Sequence, residues 1–233
     1  TYTWTVTTNA NINGASNQSA QQGTVSQLLT NLTSAAQTLT YTVTPSLLNA
    51  CAPSIFTILV TVNPKPAIAN ITSLTGPNIC SGSSFSVTPT DGSDNVPAGT
   101  KYTWTVSTST FISGQSDVSV GQTTVGQVLT NLTNINRSLV YSITPYTQVG
   151  CTGTLFQLTV TVKPTATVNN KTQIICSEAS FLLTPTNDGT DIIPSNTTYT
   201  WVPVANANIT GAVQQNVGQA NISQSLTNLT SGI

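Results

Sequence analysis

The chain has 233 residues, only 5% of them charged against roughly a quarter in ordinary globular domains, and five basic and six acidic residues leave a formal net charge of −1. Nucleic acid binding and polybasic membrane contact both need a basic stripe, whereas Lys65, Lys101, Arg137, Lys163 and Lys171 are scattered, so both partners are excluded. There is no histidine or methionine and no apolar run of about 18 residues, so direct membrane insertion is not expected either. The β-branched and aromatic residues fall in short alternating runs, which predicts folded β-structure rather than disorder.

The first run is Thr1-Tyr2-Thr3-Trp4-Thr5-Val6, with Tyr2, Trp4 and Val6 on one face of a strand. Tyr41 and Pro45, Cys51, and Val60-Thr61-Val62-Asn63-Pro64 follow, each to reappear 100 residues later. Beyond Pro64 and Pro66, residues 67 to 72 are predicted as a first edge strand, broken at Gly76-Pro77. After Ile79-Cys80-Ser81-Gly82, Phe85 and Val87 alternate with polar residues and predict a second strand. Asp91 to Gly99 is a loop by composition.

Lys101-Tyr102-Thr103-Trp104-Thr105-Val106 is a third strand, its apolar face turned to the core. Phe111 to Val120 predicts one strand and a turn, Val125 to Thr130 another strand, and Asn131-Leu132-Thr133 a signature after it. Leu139, Tyr141 and Ile143 alternate up to Pro145, and Phe156, Leu158, Val160 and Val162 up to Pro164. A further copy then begins: Ile175-Cys176-Ser177-Glu178, then Thr198-Tyr199-Thr200-Trp201, then Asn228-Leu229-Thr230. The tryptophans are spaced 104 − 4 = 100 and 201 − 104 = 97, the length of a whole small domain.

About seven short strands per period, with a tryptophan on the third, predict an all-β fold of tandem immunoglobulin-like β-sandwiches, about 100 residues each, lying end to end. Trp4, Trp104, Trp201, Phe85 and Tyr141 are the expected structural core. Phe85 and Val87 hold the second strand and Tyr141 and Ile143 the sixth, so packing replaces the bridge of antibody domains. Residues 1–63 are expected to be the C-terminal part of a first repeat, 64–164 a complete repeat, and 165–233 the N-terminal part of a third. Both ends then fall in mid-domain, as expected of a piece of a longer protein. The proline-bearing linkers Asn63-Pro64-Lys65-Pro66 and Lys163-Pro164-Thr165 favour extended, stiff connections.

Several of these motifs, taken in order, carry a likeness. Ile79-Cys80-Ser81-Gly82, Phe85 to Thr90, Tyr102 to Val106, Leu129 to Thr133, Tyr141 to Pro145, Gly150 to Gly153 and Val160 to Pro164 resemble the PKD-like and Ig-like repeats of giant Bacteroidota surface proteins. Such proteins are exported by type IX secretion, and SprB-like gliding motility adhesins are among them. The resemblance covers the whole chain. It implies a long extracellular filament attached at the outer membrane, served by anchoring and motility machinery and active in adhesion.

Four cysteines, two per period and without CxxC or histidine, suit an oxidising compartment. With Cys80 between the first two strands and Cys151 between the last two, sandwich topology sets them at opposite poles, too far apart for a bond. Stacking would bring each toward a neighbouring repeat, so one expectation is a staple between consecutive repeats; the other, should the strands be assigned differently, is a Cys80–Cys151 bond within one. Cys51 and Cys176 have no partner within the chain under either. Asp91 and Asp94, and Asp188 and Asp191, repeat a D-G-S/T-D pattern that is either a weak Ca²⁺ site or a turn; no other cofactor or metal is expected. Asn31-Leu32-Thr33 and Asn131-Leu132-Thr133 match the N-glycosylation acceptor, but a chain so rich in Asn and Thr produces such triplets by composition.

No triad, phosphate loop or paired carboxylate outside one loop is present, so the chain is not expected to be an enzyme. Two functions remain. One is a structural stalk whose partners are its own neighbouring repeats; the other is a module whose loops at one pole bind polysaccharide or another surface.

Overall fold

The computed structural model describes residues 1–46, 54–72 and 76–230. It is all-β, with no helix among the described residues. The strands fall into three successive groups. The first contains β1 (Tyr2–Val6), β2 (Ile12–Asn13), β3 (Gln18–Gln22), β4 (Thr30–Asn31), β5 (Gln37–Pro45) and β6 (Phe56–Val62). The second contains β7 (Asn78–Cys80), β8 (Ser83–Val87), β9 (Lys101–Val106), β10 (Ile112–Ser113), β11 (Val118–Gln122), β12 (Val125–Asn131), β13 (Arg137–Tyr146) and β14 (Phe156–Lys163). The third contains β15 (Ser180–Leu183), β16 (Tyr199–Trp201), β17 (Ile209–Thr210), β18 (Gln215–Gln219), β19 (Ile222–Ser225) and β20 (Thr227–Asn228).

The second group is a closed sandwich. One sheet has the order β11-β9-β13-β14-β7 and the facing sheet the order β10-β12-β8. Period-two alternation puts Tyr102, Trp104, Leu139, Tyr141, Ile143, Phe156, Leu158, Val160 and Val162 on the inner face of the larger sheet, and Phe85, Val125 and Leu129 on that of the smaller. Every member of this buried cluster lies between Ile68 and Val162. Phe85 and Tyr141 meet across the sandwich with ring centroids 5.3 Å apart and planes at 64°, an edge-on aromatic contact at the position where antibody domains carry a disulfide.

Two details depart from the sequence expectation. Residues 67 to 72 form no continuous edge strand; Ala67 bridges Asn95, Ile71 bridges Leu158, and the regular edge is β7, parallel to β14 with Cys80 opposite Lys163. Phe111 to Val120 yields two short strands, because the chain crosses from the smaller sheet, where β10 pairs β12, to the larger, where β11 meets β9 through a bulge: Tyr102 faces Gln122 while Trp104 faces Val118. The same irregularity joins β3 to β1 and β18 to β16. In the first two groups an acceptor side chain takes the last amide of the tryptophan strand, Asn17 Oδ1 that of Val6 and Asp117 Oδ1 that of Val106.

The first group has the sheet β3-β1-β5-β6 and, among the described residues, no strand equivalent to β7 or β8. Its cluster is accordingly smaller: Trp4, Ile12, Leu39, Tyr41 and Val43 are buried, while Phe56 is 42% exposed against 0% for Phe156. The third group has only two-stranded pairings, β15-β19, β16-β18 and β17-β20, and nothing equivalent to β13 or β14 among the described residues.

Candidate functional site

In the second group the strands run between two poles. β14 ends at Lys163 beside Cys80, and the loop after Asn131 lies at that same lower pole. The loops of residues 88 to 100 and 147 to 155, which hold Asp91, Asp94 and Cys151, lie at the upper pole, where β9 begins and β13 ends. The arrangement is held by polar side chains recurring at the repeat spacing.

At the lower pole, Asn131 is 2% exposed and fully bonded. Its Nδ2 donates to the Ile135 and Val162 carbonyls, each at 2.8 Å, while Oδ1 accepts from the Thr133 amide at 2.9 Å and hydroxyl at 2.8 Å. Asn31 makes the same four bonds with Ala35, Val62 and Thr33, and Asn228 Oδ1 accepts from the amide and hydroxyl of Thr230. The N-x-T triplet is therefore a latch from a loop to the end of the last strand. An amide with both protons committed inside the protein is not a glycan acceptor. Ser81 fastens the other side, accepting from the Asn131 amide at 2.9 Å and donating to its carbonyl, and Ser177 does so with Asn228. The turn beside it needs a left-handed residue, supplied by Gly82 at φ 82° and by Glu178 at φ 65°.

At the margin of the core, Trp104 Nε1 donates to the Ser116 carbonyl at 3.1 Å, Gln127 Nε2 to the same carbonyl at 2.8 Å, and Tyr141 Oη to Gln127 Oε1 at 2.8 Å. Trp4, Ser16, Gln27 and Tyr41 repeat the network. Sequence reasoning found the aromatic residues but missed Ser116 and Gln127, although Ser16/Ser116 and Gln27/Gln127 keep the 100-residue spacing. Burial raises the pKa of Tyr41, Tyr102 and Tyr141, so these phenols resist ionisation.

Trp4, Trp104, Phe85 and Tyr141 are in cores. Trp201 is not: it is half-buried, lines an open cleft of about 920 Å³ with Phe181, Ile209, Ile222 and Leu226, and its buried Nε1 has no hydrogen-bond acceptor. The cleft lies where β13 and β14 would pack, and Val213 stands at the position of Ser116.

The four aspartates are engaged by donors of the protein, two within their own loop and two from residues more than 20 positions away. Asp188 Oδ1 accepts from the Asp191 amide and from the Thr190 hydroxyl and amide, which lowers its pKa to about 2. Asp191, 1% exposed, accepts from the backbone and side chain of Asn169 and pairs with Lys171 Nζ at 2.6 Å; the Asn169 amide and then Lys171 hold its pKa down, and the pair raises that of Lys171. Asp94 accepts from the Ala69 amide, and Asp91 from the Val96 amide.

Asp91 also reaches the preceding group. Ser34, in the loop after Asn31, donates to Asp91 Oδ2, the largest cause of the lowered pKa of Asp91. The connecting segment is docked as well. Pro64 and Pro66 are buried, Asn95 Nδ2 donates to the Lys65 carbonyl at 3.0 Å, and the Thr154 amide donates to that of Pro66 at 3.2 Å. Gly153 lets Pro66 in, since a Cβ there would stand 2.4 Å from the Pro66 oxygen. Cys80 and Cys176 are exposed and Cys151 is half-buried, and none of the three is in a disulfide. Cys51 lies outside the described residues.

The profile of the PKD-like domain matches residues 1–66 and 77–166, together more than half of the chain. The chain belongs to the PKD-like domain family. A comparison with curated proteins finds no match. PKD-like domains are typically extracellular modules of structure and adhesion. Among the described residues no helix is long and apolar enough to cross a membrane. The PKD-like profile spans the Trp4 and Trp104 networks and both Asn latches, the features that recur most faithfully between the first two groups.

Proposed function

We propose that the chain is a stretch of stalk from a large extracellular filamentous adhesin, in which units 1–63, 64–164 and 165–233 follow end to end and carry mechanical load. The observation that carries this is the junction between the first two groups. Val62 is the last residue of β6, and by Lys65 the chain is already bonded to the next sandwich, with Ser34 touching Asp91 alongside. A hinge needs backbone free to change its dihedrals, and here almost none is left. A nearly uncharged surface of Thr, Ser, Asn and Gln keeps such an array hydrated without attracting charged partners, and the bulged edges of β3 and β11 resist lateral pairing.

Attachment at an outer membrane, export by type IX secretion and a part in gliding motility rest on the likeness to Bacteroidota adhesins noted in the sequence. The role is structural rather than catalytic, and it calls for no cofactor.

Small-angle scattering tests the arrangement. Three units end to end, each about 30 Å along its strands, give a radius of gyration near ~30 Å, against about 17 Å for a compact globule of 233 residues. The expected profile is that of a rod; a compact profile, or the broad distribution of a flexible string, refutes the stalk. Binding of an isolated unit on a glycan array would favour the surface-binding module instead.

A further inference from the structure

We infer that Cys80 forms a disulfide with the residue standing at the Cys151 position of the following repeat, so that consecutive units are covalently stapled. This rests on the end-to-end arrangement proposed above and adds a bond to it. Cys80 is level with Lys163 at the lower end of β14, while Cys151 lies beyond the upper end, ahead of Phe156. The strand between spans 163 − 156 = 7 steps, or about 23 Å at ~3.3 Å per step, where a disulfide allows no more than about 6.8 Å between Cα atoms. A bond within the unit would require tearing β14 from the sheet.

Across a junction the constraint reverses. Asn63 stands in the first group where Lys163, the residue beside Cys80, stands in the second. Three residues further on, Pro66 is packed against Gly153, two residues from Cys151. Lower pole and following upper pole are in contact, as the Ser34–Asp91 hydrogen bond shows. The exposed Cys80 and half-buried Cys151 thus sit on the two surfaces that stacking presses together, once per repeat.

Bond formation releases two protons and two electrons from two thiols, accepted by a small-molecule or protein disulfide that is reduced to dithiol in exchange. The staple would leave each unit's fold unchanged and stop the junction opening under load.

The test is a chain in which residues 64–164 occur twice in succession, so that one complete junction is present. Each copy keeps the full buried cluster of residues 68 to 162. After oxidation with excess oxidised glutathione, the expected product gives, without reduction, a peptide joining Cys80 of the first copy to Cys151 of the second, 2 Da lighter than the two reduced peptides together. Cys80→Ser in the first copy should abolish that peptide. A peptide joining the two cysteines of one copy, or both junction thiols recovered free or glutathionylated from protein whose hydrogen exchange is native, overturns the staple. Scattering of the reduced chain separates the two proposals: a rod without the bond removes the staple alone, and a compact reduced chain removes the stalk itself.

Discussion

Replacing Asn131 by Leu removes the latch while nearly conserving volume. The Val162 carbonyl, whose bond to Asn131 Nδ2 is buried, loses that side-chain donor with no route to water in its place, at a cost of about 2 kcal/mol. The Ile135 carbonyl and the Thr133 amide are partly exposed and recover water, so each loses only about 0.5 kcal/mol. The sum, about 3 kcal/mol, is a large fraction of the roughly 5 to 15 kcal/mol that holds a domain together. The chain contains its own control, because Asn31 keeps the same bonds in the first group. In hydrogen exchange read by mass spectrometry, peptides from β13 and β14 should lose protection about a hundredfold, at ~1.4 kcal/mol per tenfold, while those from β5 and β6 stay unchanged. Loss of less than about threefold in β13 and β14 would mean that water replaces the side chain, and would refute the latch as a stabilising element.

Glu178→Gly should stabilise the third group by about 1 kcal/mol, because glycine meets no penalty at φ 65°; slower exchange in β15 and β19 checks it, and faster exchange would count against the strain. The carboxyl of Asp188, held to about 2 against an ordinary 3.8, contributes stability that is present above the ordinary value and lost as pH falls through about 2. A carbon-detected titration of Asp188 should show that low midpoint, and an ordinary one would contradict the turn geometry. Tyr141 is shifted the other way, its folded pKa above the ordinary 10.0, so its contribution is complete below that pH and is lost as pH rises beyond it. Phenolate absorbance should therefore appear together with alkaline unfolding. Tyr141→Phe deletes the bond to Gln127 and should cost about 1 kcal/mol, read as faster exchange in β13.

Strand periodicity and the repeat were legible in the chain because both are local or self-similar: Tyr102 and Trp104 alternate with threonines whatever lies across the sheet, and every motif has a copy about 100 residues away. From these followed the all-β sandwich and the burial of Trp4, Trp104, Phe85 and Tyr141. What tertiary structure alone decided is which distant groups meet. Ser81 and Asn131 are 50 positions apart, and no pattern in either segment says that a hydroxyl will close both backbone groups of an asparagine. The parallel pairing of β7 with β14 was hidden for the same reason, three residues being too short to show a period. Trp201 makes the point most directly. Its local sequence matches that of Trp104, yet it lines a cleft, because burial depends on strands like β13 and β14 that widen the sheet beside it and not on the tryptophan's own strand.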